Sequence, residues 1–300
     1  MRILVLGAEG MLGRAVVALL RREGRAEVIA ARRPGGRADG VDFEVPFHQD
    51  ALGRWLSEIG PLDLAVNCVA VLARDISPDD PCSAARAAHV NAWFPNALAL
   101  ACAQARCRLI HLSTDAVFSP MRGEVHERDA TDPVDAYGLS KRLGEPVADG
   151  ALTLRLSIIG FNPRRGTGLL EHALTEWRER RPCSASQTLL WSGATVFQAA
   201  STVARLSQSD LFRQVRSHTA VLHFAPNPPI TKAALLRTVA QVLSTGGQVV
   251  ETDGPPTGRL LVNHPELAQF VPRERKSWPE LIAELAEFER QMPPVEPIPR

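Results

Sequence analysis

Short apolar runs alternate with longer amphipathic stretches through the first half of the chain. Ile3 to Leu6 is apolar at every position and ends at Gly7. A run this short, with no polar face, predicts a strand buried on both sides, as inside a parallel sheet. Ala15 to Leu20 then leads into Arg21-Arg22-Glu23 and Gly24, a helix and its stop. The same alternation predicts strands at Glu27 to Ala31, Val41 to Val45, Leu64 to Ala70, Arg108 to Leu112 and Leu152 to Gly160. Between them it predicts helices at Ala51 to Ile59, capped by Asp50, and at Ser83 to Cys107, kinked or split at Pro95. Asn91 sits inside that long helix, where an asparagine ordinarily faces solvent. A further helix carries Tyr137, with Pro133 and Asp135 at its start and Pro146 at its end. Strands and helices in this alternation make an α/β fold with a doubly wound parallel sheet.

The second half is less regular. Helices are expected at Leu169 to Arg180, Val196 to Leu206, Lys232 to Leu243 and Glu280 to Glu289, with a strand at Ala220 to Phe224. The division that follows is a sheet domain over residues 1–160, with returns near 194–226, and a smaller, partly discontinuous α/β lobe over 161–292. A proline-rich tail covers 293–300, and no internal repeat is visible.

Composition narrows the function. The chain has 300 residues, 45% of them hydrophobic, enough for a large core. The net charge of +1 comes from 34 basic and 33 acidic residues, which argues against a nucleic-acid binder. Five cysteines, an odd number with no C-x-x-C pair, fit reduced thiols in a cytoplasm better than a disulfide framework. The histidines lack H-x-x-x-H spacing, so no metal site is expected. The apolar run at the start is too short for a signal peptide, and none is long enough to span a membrane.

The candidate chemistry lies where strands end. Gly7-Ala8-Glu9-Gly10-Met11-Leu12-Gly13 follows the first strand and opens a helix. Glycines there permit a tight turn, and free N–H groups at a helix start attract a pyrophosphate. The second strand ends in Arg32-Arg33 with no acid, which favours the 2′-phosphate of NADP(H), leaving NAD(H) open. Ser113-Thr114 places hydroxyls at the end of a central strand. Tyr137-Gly138-Leu139-Ser140-Lys141 contains the only tyrosine, and a helix puts that phenol and the lysine on one face. A cation beside a phenol favours proton exchange with an alcohol or carbonyl oxygen.

Taken in order, these motifs and Asn67-Cys68-Val69-Ala70 make the chain resemble the extended short-chain dehydrogenases/reductases. Within them it is most similar to the dTDP-4-dehydrorhamnose reductase group of nucleotide-sugar 4-ketoreductases. The match runs to about Gly160, and Trp191-Ser192-Gly193 and Ile230-Thr231-Lys232 extend it more weakly. The resemblance implies a Rossmann-like domain and a set of roles. Tyr137 would donate the proton. Lys141 would hold the nicotinamide ribose and lower the tyrosine pKa. Thr114 would bond the substrate oxygen beside Ser113, and Asn91 would support the lysine through water. Gly7, Gly10, Met11 and Leu12 would meet the pyrophosphate, and Asp50, Ala70 and Val71 the adenine and ribose. Asp115, Ser157 and Trp191 fall on the substrate side, with Arg155, Arg164, Arg165 and Arg259 as candidates for a diphosphate.

Three positions depart from the pattern. Ala116 stands where related 4,6-dehydratases carry a glutamate acid, which argues against dehydration, and where the reductases usually carry tyrosine. Leu156-Ser157-Ile158 replaces their usual Thr-Ser-Trp. Arg259-Leu260-Leu261 only echoes their late Arg-Ser-Leu. The resulting expectation is an NADPH-dependent reductase of a 4-keto (6-deoxy) sugar on a nucleoside diphosphate, serving deoxysugar or surface-polysaccharide biosynthesis. An epimerase on the same scaffold, or a non-catalytic NADP-binding regulatory subunit, is the alternative. A homodimer is left open, and neither nucleic acid nor membrane is an expected partner.

Overall fold

The computed structural model describes residues 1–36, 39–163, 167–254, 258–271 and 273–293. Seven strands form one parallel sheet: β1 (Arg2–Leu6), β2 (Glu27–Arg32), β3 (Val41–Asp42), β4 (Leu64–Asn67), β5 (Arg108–Thr114), β6 (Ala151–Leu156) and β7 (Val221–Phe224). Their order is β7-β6-β5-β4-β1-β2-β3, a Rossmann-like doubly wound arrangement. The chain winds outward from β1 to β3, then returns and winds the other way from β4. The reversal leaves a crevice at the carboxyl ends of β1 and β4. Register aligns those ends: Leu6 lies beside Ala31 and Asn67, and Thr114 beside Leu156.

The helices are α1 (Met11–Glu23), α2 (Gln49–Ile59), α3 (Pro81–Ala87), α4 (Phe94–Gln104), α5 (Ala136–Leu143), α6 (Leu169–Arg178), α7 (Val196–Ser207), α8 (Ser209–His218), α9 (Lys232–Val242) and α10 (Trp278–Gln291). One face of the sheet packs on α1 and α7, whose buried Ala15, Val16, Ala200 and Val203 join Ile3, Val5 and Val66 in one core. The opposite face sets Leu4, Leu6 and Ala65 against Leu52, Leu56, Phe94 and Leu98 of α2 and α4. Covered on both sides, β1 and β4 have no use for polar alternation, which is why they read as unbroken apolar runs. The first core continues through Leu170, Trp177 and Leu235 into the second half of the chain.

Short strand pairs outside the main sheet involve that half. Leu190–Trp191 pairs antiparallel with Ile230–Thr231, and Ala194–Thr195 parallel with Ile158–Ile159. Cys183–Ser186 pairs with Val249–Thr252, and Gly123–Val125 with Arg259–Leu261, both parallel.

The structure corrects several sequence expectations. β3 stops at Asp42, and the strand expected through Gly160 ends at Leu156, with Ile158–Ile159 turning to pair elsewhere. His48 occupies the cap position of α2, which puts Asp50 in the first helical turn. The expected long helix is α3 and α4 joined by a π-helical stretch, Ala88–Trp93, and Pro95 sits in the first turn of α4. The short helix α8 had no counterpart in the sequence reading. Arg164, Arg165 and the tail from residue 294 lie outside the described residues.

Candidate active site

A cleft of about 870 Å³ runs along the carboxyl ends of β1, β2, β4, β5 and β6. Its floor begins at the glycine turn. Helix α1 starts after Gly10 with no side-chain cap and no acid in its first turn. A Cβ on Gly13 would stand 2.1 Å from the Gly7 carbonyl oxygen, so the helix start presses directly on the turn. Gly7, Gly10, Met11 and Leu12 all line the cleft there. Open backbone N–H groups on a positive helix end fit the pyrophosphate of a dinucleotide. Farther along lie Arg32, Arg33, Ala70 and Val71. Arg32 is ion-paired with Asp42, whereas Arg33 is exposed. Asp50 does not join them; it lies in a separate surface groove with Arg54 and Glu58.

The π-helical stretch explains Asn91. An extra residue in a helical turn redirects side chains, and such turns recur at functional sites. Asn91 is fully buried rather than solvent-facing. Its Oδ1 accepts from the Val71 N–H at 2.8 Å, and its Nδ2 donates to the Val71 carbonyl at 2.8 Å and to Ser140 Oγ at 3.0 Å. Ser140 Oγ in turn donates to the Tyr137 carbonyl at 2.8 Å. Asn91 thus ties the loop after β4 to α5, and its partners are Val71 and Ser140 rather than Lys141. A Cβ on Gly144 would stand 1.7 Å from the Asn91 carbonyl oxygen, so the end of α5 rests against the π-turn.

Asp135 caps α5 by accepting from the Gly138 N–H at 2.6 Å. The helix brings Tyr137 and Lys141 to the cleft wall opposite Ser113 and Thr114 at the end of β5. Lys141 is buried, and its Nζ donates to the Leu112 carbonyl at 2.7 Å. Burial pushes the lysine down to about 8, against the pull of Glu145 and Cys68. Burial pushes the Tyr137 phenol up to about 12; its hydrogen-bond partner Thr114 opposes this, and Asp115 adds to it. The expected lowering of the phenol is therefore not what this geometry gives, since burial, with Asp115 and Asp135, sets the direction.

Thr114 Oγ1 accepts from the Ala116 N–H at 3.2 Å and donates to Asp115 Oδ1 at 3.1 Å. Burial raises Asp115; Arg259, Thr114 and Ser157 draw it back. Ser157 lines the cleft, and Trp191 Nε1 donates to its Oγ at 2.8 Å. Trp191 and Arg259 stand behind this wall rather than in its lining. The Arg259 Nε is buried without a hydrogen-bond partner, and its charge acts on Asp115 and Tyr137.

Arg155 is not a candidate for a diphosphate. It is buried against Glu145, with Nε to Oε1 at 2.8 Å and Nη2 to Oε2 at 2.7 Å. Glu145 Oε1 also accepts from Ser113 Oγ at 2.8 Å. Glu145 and His111 were not read as site residues from the sequence, and Asn67 and Cys68 entered only as part of the motif after β4, without individual roles; of these four, Cys68 lines the cleft. The one available signal was a polar residue inside an apolar strand, as at Asn67 and His111. Among the described residues no group of His, Cys, Asp and Glu is placed to hold a metal, and no helix is long and apolar enough to cross a membrane.

The model of the RmlD substrate binding domain family matches residues 1–252. The chain belongs to this family. It is 34% identical over 166 residues to a probable low-salt glycan biosynthesis reductase of Haloferax volcanii, covering 52% of each chain. It is 37% identical over 147 residues to a dTDP-4-dehydrorhamnose reductase of Streptomyces griseus, covering 48% of this chain and 43% of the other. The chain thus spans about half the length of the curated relatives it matches. In three dimensions it is similar to a Bacillus anthracis dTDP-4-dehydrorhamnose reductase solved with NADP, with a TM-score of 0.75 at 18% identity over 95% of this chain and 97% of that one. That likeness establishes the Rossmann-like fold.

Proposed function

We propose that this family member reduces the 4-keto group of a 6-deoxy sugar carried on a nucleoside diphosphate, using NADPH, in deoxysugar or surface-polysaccharide synthesis. The observation that carries the reading is convergence: Thr114, Tyr137 and Lys141 line the same cleft as an uncapped helix start. The similarity to a dTDP-4-dehydrorhamnose reductase supports it.

Gly7, Gly10, Met11 and Leu12 would hold the cofactor pyrophosphate, and exposed Arg33 would meet a 2′-phosphate. When bound, the nicotinamide supplies the hydride. Tyr137 gives its proton to the oxygen that becomes the alcohol; a phenol raised by burial keeps that proton at neutral pH. Thr114 exchanges its bond to Asp115 for one to the same oxygen and steadies the charge that develops there. Ser157 and Trp191 shape the sugar wall, and Arg259 behind it would lend its positive charge to the anionic part of the substrate.

The test is NADPH oxidation against dTDP-, UDP- and GDP-linked 4-keto-6-deoxy sugars. Steady consumption with one of them is expected. An epimerase regenerates its cofactor and shows no net consumption. Tight NADPH binding without turnover on any of these sugars overturns the reading in favour of a regulatory subunit.

A further inference from the structure

Lys141 ends in a buried polar cluster that the proposed reaction leaves unexplained. Asn67, His111 and Lys141 are each no more than 2% exposed. Asn67 Oδ1 accepts from the Val69 N–H at 3.0 Å, which fixes the orientation of its amide. Its Nδ2 therefore faces His111 Nδ1, at 3.2 Å. An amide NH₂ can only donate, so Nδ1 must be the bare, accepting nitrogen of a neutral ring. The ring proton then sits on Nε2, which lies 3.5 Å from Lys141 Nζ. An ammonium has no lone pair to offer an N–H, whereas a neutral amine has one. The contact is a hydrogen bond only when Lys141 has lost its proton.

We propose that Asn67 and His111 are positioning residues that make Lys141 a proton-exchanging amine instead of a permanent cation. The other groups facing the amine are the Leu112 carbonyl on β5, Cys68 beyond β4, and Glu145 just past α5. Cys68 and Glu145 favour the charged form and burial opposes it; the His111 N–H 3.5 Å away is the one directed group set against the charge. His111 is suited to the part, because burial and Lys141 hold it neutral throughout the range in which an amine would titrate. The catalytic consequence rests on the reduction proposed above. After Tyr137 gives its proton to the alkoxide, a proton must return to the phenolate, and a Lys141 able to lose its own is a source of one in the same cleft. The neutral amine left behind accepts the His111 N–H until solvent returns a proton to it.

The chain has only three lysines, Lys141, Lys232 and Lys276, so isotope-labelled lysine ε-carbon NMR resolves the titration without cofactor or substrate. The Lys141 signal is assigned with Lys141→Met. In the wild type its midpoint is expected near about 8. In His111→Leu it should move up by about one pH unit, because a facing donor has been removed. In His111→Gln, whose amide can present an N–H to the same place, it should stay near the wild-type value. An unmoved midpoint in His111→Leu, or a His111→Gln midpoint that follows His111→Leu, overturns the proposal. If the variants fail to fold, nitrogen NMR of the wild-type His111 ring decides. The Nε2–H tautomer is expected, and an Nδ1–H tautomer or an imidazolium at neutral pH overturns it. None of these readings depends on whether any sugar is reduced.

Discussion

On the Lys141 side of the cleft the polar groups are buried and mutually bonded: Asn67 with His111, Asn91 with Val71 and Ser140, and Glu145 with Arg155 and Ser113. On the Trp191 side the groups are half-buried, and the ties are fewer. Trp191 holds Ser157, and Arg259 keeps a buried Nε with no partner. The first side is preorganised, its geometry fixed by bonds that would be expensive to leave unmade. The second has bonding capacity to spare, as a wall that meets a ligand should. Under the proposed function, cofactor chemistry needs fixed atoms, whereas recognition of the sugar could be completed by the sugar.

Changes on the two sides should therefore fail differently, in stability on one and in kinetics on the other. The largest expected effect is at their junction. Tyr137→Phe should lower NADPH-dependent reduction by about 10³-fold while leaving the urea midpoint in place. Full retained activity would remove the phenol from the chemistry. Next is Glu145→Gln, which leaves Arg155 buried against a neutral amide. Breaking a buried pair of this kind costs about 3–5 kcal/mol, so a urea titration showing less than about 1 kcal/mol would mean that this side is not held by its polar bonds.

Lys141→Met should act the other way. The folded chain holds the lysine at about 8 against an ordinary 10.5, so below pH 8 both states are protonated and the folded one bears the full burden. Wild-type stability therefore rises from about pH 8 to 10.5, where the folded chain has released the lysine proton and the unfolded chain still binds it. The variant should be about 2 kcal/mol more stable at neutral pH, with the advantage fading over that window. Tyr137 opposes this at higher pH, since only the unfolded chain ionises between 10 and 12. Because it is the only tyrosine, phenolate absorbance reads its midpoint directly. The smallest effect should be Trp191→Phe, which removes the bond to Ser157. A loss of about 1 kcal/mol appears as roughly a fivefold higher KM with unchanged stability. A fall in stability instead would make the two walls alike.

The dinucleotide half was legible because its signals are local. An apolar run, a glycine turn and a phenol four residues before an amine depend on neighbours along the chain. The comparison also shows where legibility stops. Asn91 reads as a solvent-facing helix residue because no sequence pattern announces the π-turn that rotates it inward. Arg155 reads as a free cation, yet its partner Glu145 arrives from the end of α5. Lys141 reads as a group that acidifies Tyr137, since spacing places the two side by side without revealing that His111 and the Leu112 carbonyl hold the amine. Asp50 looked like a helix cap and cofactor contact, but the helix began two residues earlier than its pattern suggested. In each case the decisive contact was made across the fold.

The pairing of Gly123–Val125 with Arg259–Leu261 also bears on how the molecule is assembled. Five neighbouring strands, β1 to β5, have left the ribosome by Thr114, but the strand carrying Arg259 must close a loop of more than a hundred residues to find its place. Contacts of such separation form slowly and late. During synthesis the nucleotide half can be complete while the opposite wall is still absent. If the cleft binds a dinucleotide as proposed, early binding would stabilise a half-built molecule, and the wall carrying Arg259 would be its last part to form.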